Sequence, residues 1–167
     1  GVDMEPDAAG LYLADAGRSV PPANHDDWAA VMREVLAERD VDVVVPTVDE
    51  ELPLLDALPD DVPTVAPRDD VIEVTLDKYT TSQRLAEAGH TVPRTWLASE
   101  AASIPESAYP LIRKPRRGRG SRGIERVPSP AALSESLSGT ARPPDELLLQ
   151  EFVAGTEFTT SVVSPRD

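Results

Sequence analysis

Tyr109-Pro-Leu-Ile-Arg-Lys114-Pro-Arg-Arg-Gly118-Arg-Gly120-Ser121-Arg-Gly123-Ile124 is the stretch on which the reading of this chain turns. An apolar run delivers Lys114 at its end, and a glycine-rich turn follows at once. Phosphate oxygens need backbone N–H donors at close range, and glycine removes the Cβ that would block the approach. Lys114 adds a compact cation beside them. Residues 118–123 also satisfy G-x-G-x-x-G, but that dinucleotide fingerprint requires a helix directly after the turn and an acid about twenty residues on. Here Gly123 leads into Ile124-Glu125-Arg126-Val127, an alternating segment ended by Pro128. A β-hairpin flap closing over phosphates is therefore the stronger reading. An Arg-Gly tract for RNA is the other alternative, but such tracts are usually repeated and supplied with aromatics. This one is single, aromatic-free and flanked by strand-like segments.

The charge balance points to the same loop. Thirty acids against sixteen bases give a net charge of −14, which opposes casual binding to nucleic acid or an anionic membrane. Seven of the sixteen bases fall within residues 113–126, beside the single acid Glu125, so one positive loop sits on a negative protein. That pattern suits a small polyanion. Only Lys78 and Lys114 are lysines; the other bases are arginine. A carboxylate-rich surface nearly emptied of lysine resembles proteins of salt-loving archaea, and a GC-rich genome produces a similar bias. Self-repulsion of this surface should be relieved by screening. The midpoint of thermal unfolding is expected to rise markedly between dilute buffer and molar KCl, and a flat profile would favour codon bias.

Hydrophobic residues make up 40% of the chain, enough for a packed core despite seventeen prolines. No apolar run approaches the roughly eighteen residues of a membrane span. The acidic start, Gly1-Val2-Asp3-Met4-Glu5, has no basic n-region, and there is no cysteine, so the expectation is a cytoplasmic protein without disulfides.

Working outward, the N-terminal half predicts an α/β pattern. Leu11 to Ala14 reads as a short buried strand. Asp26-Asp27 opens a helix in which Trp28, Val31, Met32, Val35 and Leu36 recur with helical period. Val41 to Val45 is a β-branched run stopped by Pro46, as in a strand buried on both faces. Asp49 to Leu58 reads as a short acidic helix, and Thr64 to Ala66 as another strand. The style changes near residue 75, where Thr75 can cap a helix from Leu76 to Ala88 that Gly89 ends. Strand-like pieces follow at Thr91–Leu97, Tyr109–Lys114, Gly123–Val127, Leu147–Val153 and Phe158–Val163, with a helix near Pro130–Leu137. The expectation is an α/β domain over residues 1–75 and an α+β domain over 76–167.

Two further blocks carry chemistry. In Gln150-Glu151-Phe152-Val153-Ala154-Gly155-Thr156-Glu157-Phe158, a backbone edge can meet a purine, and a later carboxylate can reach ribose hydroxyls. Taken alone, a plain strand, turn and strand explains that block better. In Asp77-Lys78 the cation lies in the first turn of a helix, where it opposes the dipole and gains nothing locally. An ammonium reaching back to phosphates would account for it, as would a tolerated surface lysine.

Taken in order, these blocks resemble the ATP-grasp superfamily, most nearly the large subunit of carbamoyl-phosphate synthase and its stand-alone relatives. Val41 to Glu51 looks like the pre-ATP-grasp (Rossmann-like) domain. Asp77-Lys78 with Leu85 to Pro93 looks like the start of the grasp, Tyr109 to Gly123 like its lysine strand and flap, and Gln150 to Glu157 like its adenine hinge. The resemblance implies that Lys78 and Lys114 contact the α- and β-phosphates, while Gly118, Gly120, Ser121 and Gly123 cover them. It implies that Glu151 and Val153 offer backbone groups to adenine, with Phe152 between them, and that Glu157 holds the ribose. The implied activity is ATP-dependent ligation of a small carboxylate to an amine or ammonia through an acyl phosphate. Mg²⁺ is expected for the full-length family, with its ligands beyond the hinge, and no metal ligand or catalytic residue is assigned in this sequence. The chain is expected to be incomplete at both ends, inactive alone, and prone to self-association through an exposed final strand. A non-catalytic nucleotide-binding or regulatory module is the alternative from another class.

Overall fold

The computed structural model describes residues 1–160. They fall into two compact units, and each has its own core.

The first unit comprises Gly1–Thr81 together with Arg117–Gly120. Strand β1 (Val2–Asp3) pairs in parallel with β2 (Arg18–Ser19), and helix α1 (Ala9–Leu13) lies between them in sequence. Helix α2 (Trp28–Glu38) follows the expected period, burying Trp28, Met32 and Leu36 at i, i+4 and i+8 against Val20 and Leu58. The acidic segment Asp49–Ala57 is a 3₁₀ helix. Pro53 lies inside it and withholds a backbone donor, which disfavours the α-helical ladder.

Several local expectations are corrected here. Leu11–Ala14 is not a buried strand: those residues end α1, with Tyr12 and Leu13 exposed. Four apolar residues carry too little periodicity to separate helix from strand. Val41–Val45 makes a single parallel bridge, Val44 to Thr64, and Val43 and Val45 are exposed rather than buried on both faces. Thr64–Ala66 is likewise only the other side of that bridge. Thr75 does not cap the following helix. It ends a separate helix, α3 (Asp69–Thr75), where its hydroxyl donates back to Val71 O at 2.8 Å.

Helix α4 (Lys78–Glu87) is capped instead by Asp77, whose Oδ1 accepts from the N–H groups of Tyr79 and Thr80 at 3.0 and 3.3 Å. Asp77 is buried, so its loss leaves orphaned donors as well as an uncapped helix. Asp77→Ala is expected to destabilise by about 1–2 kcal/mol, whereas Asp77→Asn retains a good cap and should recover most of that loss. Chemical denaturation of both variants measures this, and equal losses would locate the effect in the charge rather than the cap. The helix ends as expected at Gly89. Its φ is 82°, and the N–H groups of Gly89 and His90 bond back to Ala86 O and Leu85 O.

The second unit comprises Ser82–Arg116 and the chain from Ser121 onward. Its sheet is antiparallel throughout, in the order β3 (Thr95–Leu97), β6 (Leu147–Glu151), β4 (Leu111–Pro115), β5 (Glu125–Val127). Helix α5 (Pro130–Ser138) begins with Ser129 accepting from Ala132 N–H and with proline in its first turn. Register and the period of two assign the faces. Leu111, Leu147, Leu149 and Val127 share one face and build a core with Leu133, Ala98 and Ala108. Thr95, Leu97, Ile112, Lys114, Leu148, Gln150 and Arg126 share the other. Residues 158–160 form no strand, and the remainder of the expected strand Phe158–Val163 lies outside the described residues.

Candidate functional site

Lys114 stands near the end of β4, and the glycine-rich loop follows it. Because β5 returns antiparallel to β4, the loop is a hairpin, as its sequence suggests, and no helix follows the G-x-G-x-x-G letters. Gly118, Gly120, Ser121 and Gly123 all adopt positive φ, so this loop turns sharply and repeatedly. Gly123 is the most constrained of them, with φ 73° and space for a Cβ only 3.2 Å from the Pro115 ring. Both Lys114 and Arg113 are tied into the sheet. Lys114 Nζ donates to Gln150 Oε1 at 2.8 Å, while Arg113 pairs with Glu125 at 2.8 Å.

The tip of the loop, Arg117–Gly120, belongs to the first unit, and so does Lys78. There Lys78 Nζ donates to Gly118 O at 2.6 Å, Arg119 pairs with Glu50 at 2.9 Å, and Arg117 lies 3.5 Å from the buried Asp77 carboxylate. Of the residues singled out from the sequence, Lys78 and Gly118 are therefore in direct contact. Burial holds the Lys78 ammonium below the usual lysine range, opposed by the nearby carboxylates of Asp49 and Asp77. Glu51 moves the other way: burial raises its carboxyl above the usual range, and the neighbouring charges of Asp3 and Glu50 add to this. A raised folded-state value means that the contribution of Glu51 to stability is fully present below the ordinary glutamate value and is lost as pH rises through the raised one. Glu51→Gln is expected to raise the unfolding midpoint at pH 7 and to change it little at acidic pH. Thermal melts across that range check the sign.

The hinge block leaves the sheet at the end of β6. Glu151 N–H donates to Arg94 O at 2.9 Å, and Phe152 N–H donates to Pro110 O at 3.1 Å, so successive residues face opposite sides. Arg94 also grips the Glu151 carboxylate, with Nε 3.2 Å from Oε2. That hydrogen bond, more than any other cause, holds the carboxyl below the usual range. The Arg126 guanidinium lies 4.5 Å from the centre of the Phe152 ring on the Lys114 face of the sheet. Val153 is exposed, and Glu157 follows Gly155 in an exposed stretch without regular structure.

Three features escaped the sequence reading. Asp77 carries the signal of an N-cap acid just before a helix, but Thr75, two residues earlier, is a cap residue type as well. Glu50 as a partner of Arg119, and Thr95 as a partner of Gln150, rest on pairings across 69 and 55 residues, for which the sequence carries no local signal.

Among the described residues, no group of three or more His, Cys, Asp and Glu side chains could hold a metal ion. A lysine at a strand end and backbone of positive φ are the kinds of group that bind phosphate. Among the described residues, no helix is long and apolar enough to cross a membrane.

Comparison with known proteins bears on this geometry. Residues 75–167 match the model of an ATP-grasp domain, and residues 1–65 match that of a PylC-like N-terminal domain. A D-alanine–D-alanine ligase of Ectopseudomonas mendocina is 34% identical over 92 residues, covering 53% of this chain and 29% of that protein. An L-amino acid ligase from Bacillus licheniformis superposes with a TM-score of 0.64 at 20% identity, over 84% of this chain and 34% of that one. The biotin carboxylase domain of the Hydrogenobacter thermophilus 2-oxoglutarate carboxylase, solved with MgADP, ADP and bicarbonate, gives a TM-score of 0.62 at 19% identity, over 91% and 38%. The chain thus spans well under half the length of each of these relatives. With more than half of its residues matched by the ATP-grasp domain model, and a mixed α/β fold shared with ATP-grasp enzymes, the chain belongs to the ATP-grasp family.

Proposed function

We propose that this chain is the nucleotide-binding part of an ATP-dependent ligase that joins a small carboxylate to an amine or ammonia. The observation that carries this reading is the common face of Lys114, Gln150 and Arg126, with Phe152 beside Arg126, directly ahead of a positive-φ hairpin loop. In this reading Lys114 and Lys78 bind the α- and β-phosphates, and Gly118, Gly120, Ser121 and Gly123 cover them. In an extended segment the carbonyl of one residue and the N–H of the residue two further on face the same side, so Glu151 and Val153 can offer an acceptor and a donor to the adenine edge. Phe152 supplies an apolar contact, and Glu157 holds the ribose. The N-terminal domain occupies residues 1–75, and the ATP-grasp domain starts at 76.

The reaction runs in two steps. A carboxylate oxygen attacks the γ-phosphorus, and the bond to the β-bridging oxygen breaks, giving an acyl phosphate and ADP. The nitrogen lone pair then attacks the acyl carbon, phosphate leaves and a proton is lost from nitrogen. The two lysines and the loop amides offset phosphate charge and hold the nucleotide in line for the attack. Mg²⁺ would supply further charge neutralisation in the complete enzyme, and the cytoplasm, where ATP is abundant, is the compartment we assign.

The test is ATP-dependent phosphate release by the complete gene product over a panel of amino and carboxylic acids. Release stimulated by one carboxylate–amine pair is expected. Tight ATP binding with no stimulation by any pair would favour a regulatory nucleotide-binding module instead.

A further inference from the structure

Lys114 does not stand alone on its face of the sheet. Its ammonium donates to Gln150 Oε1 at 2.8 Å. Gln150 Nε2 donates to Thr95 Oγ1 at 2.8 Å, and the Thr95 hydroxyl donates to Pro93 O at 3.0 Å. Ser82, from α4, donates to the same Thr95 oxygen at 3.2 Å. The chemistry of each group fixes the direction of this chain. An ammonium can only donate, so the Gln150 amide must turn its oxygen to Lys114 and its NH₂ to Thr95. A hydroxyl has one proton and two lone pairs. Thr95 gives its proton to a proline carbonyl and fills both lone pairs with Gln150 and Ser82. Every donor and acceptor named has one role, and no alternative orientation of the amide satisfies all of them.

We propose that Gln150, locked by Thr95, helps to position the Lys114 ammonium for the nucleotide phosphates. A lysine has four rotatable bonds, and each contact that orders them before binding lowers the freedom lost at the moment of binding. An acceptor held in one orientation pays that ordering cost in advance, and neutral Gln150 does so without cancelling the charge that the phosphates need. The proposal rests on Lys114 being a phosphate contact. Thr95 acts only through Gln150, and both are positioning residues rather than catalytic ones.

The experiment is calorimetric titration of ATP into Thr95→Val, Thr95→Ser, Gln150→Leu and Lys114→Ala, and into the double variants that combine Thr95→Val or Gln150→Leu with Lys114→Ala. Thr95→Val and Gln150→Leu should each weaken ATP binding about three- to ten-fold, and Thr95→Ser, which keeps the hydroxyl, should restore affinity. In the Lys114→Ala background the first two substitutions should have no further effect. The same fold-loss in that background would overturn the positioning role while leaving Lys114 as a phosphate contact. Unchanged affinity in Lys114→Ala alone would overturn both. Gln150→Glu gives a readout that needs no ATP: a carboxylate in place of the amide should raise the Lys114 pKa, followed through lysine ¹³Cε shifts. An unmoved Lys114 titration in a folded Gln150→Glu protein would remove the contact itself.

Discussion

Lys114→Ala is expected to weaken ATP binding by about ten-fold or more, because a charge-assisted hydrogen bond contributes roughly 1.5–3 kcal/mol. The fold should survive the change. The side chain is half-buried at the end of β4, and the strand's pairing with β5 and β6 uses backbone groups that alanine keeps. Lys114→Arg should rescue only in part. A planar guanidinium fork cannot replace a compact ammonium beside the Gln150 amide, and it presents its donors in fixed directions. Calorimetric titration of both variants beside thermal melts separates lost affinity from lost structure. ATP affinity equal to the wild type in a folded Lys114→Ala protein would remove Lys114 from the site.

The largest effect on stability is expected at the centre of the second unit. Leu149 is fully buried on β6, opposite Arg113 on one side and Trp96 on the other, and it packs with Leu111 and Val127. Leu149→Ala removes its transfer free energy and leaves a cavity that paired strands on both sides cannot collapse, a loss of about 2–5 kcal/mol. A domain of ordinary stability, about 5–15 kcal/mol in total, would lose much of its margin. Phe158→Ala is the control: that ring is exposed, so the change should stay within about 0.5 kcal/mol. Urea denaturation of the two variants measures the contrast, and similar midpoints would mean that Leu149 is not part of the cooperative core.

The same residues explain what could be read from the sequence and what could not. The hairpin β4–β5 was legible because alternation, glycine and proline all pointed one way between Tyr109 and Pro128. Helix α2 was legible because Trp28, Met32 and Leu36 repeat over three turns. Helix α3 was missed since Asp69–Thr75 mixes β-branched residues with acids over only seven positions, too few for a period to emerge. Val41–Val45 misled for the opposite reason: a β-branched run reads as a buried strand, yet in the described residues it finds a single bridging partner at Thr64. In the candidate site, the lysines and glycines stand out in the sequence because few residue types suit a phosphate. The Thr95–Gln150–Lys114 chain was not, because threonine and glutamine are ordinary strand-face residues until register sets them side by side.

A chain with two lysines offers a direct test of the proposed phosphate site. With lysine labelled at ¹³Cε, Lys78 and Lys114 give two resonances, assigned by their substitution with arginine. ATP should shift both, and the two shifts should saturate together at one nucleotide concentration. If both resonances stay in place in the folded protein up to about 10 mM ATP, where even a ligand with a Kd of about 1 mM is mostly bound, then neither lysine binds the phosphates.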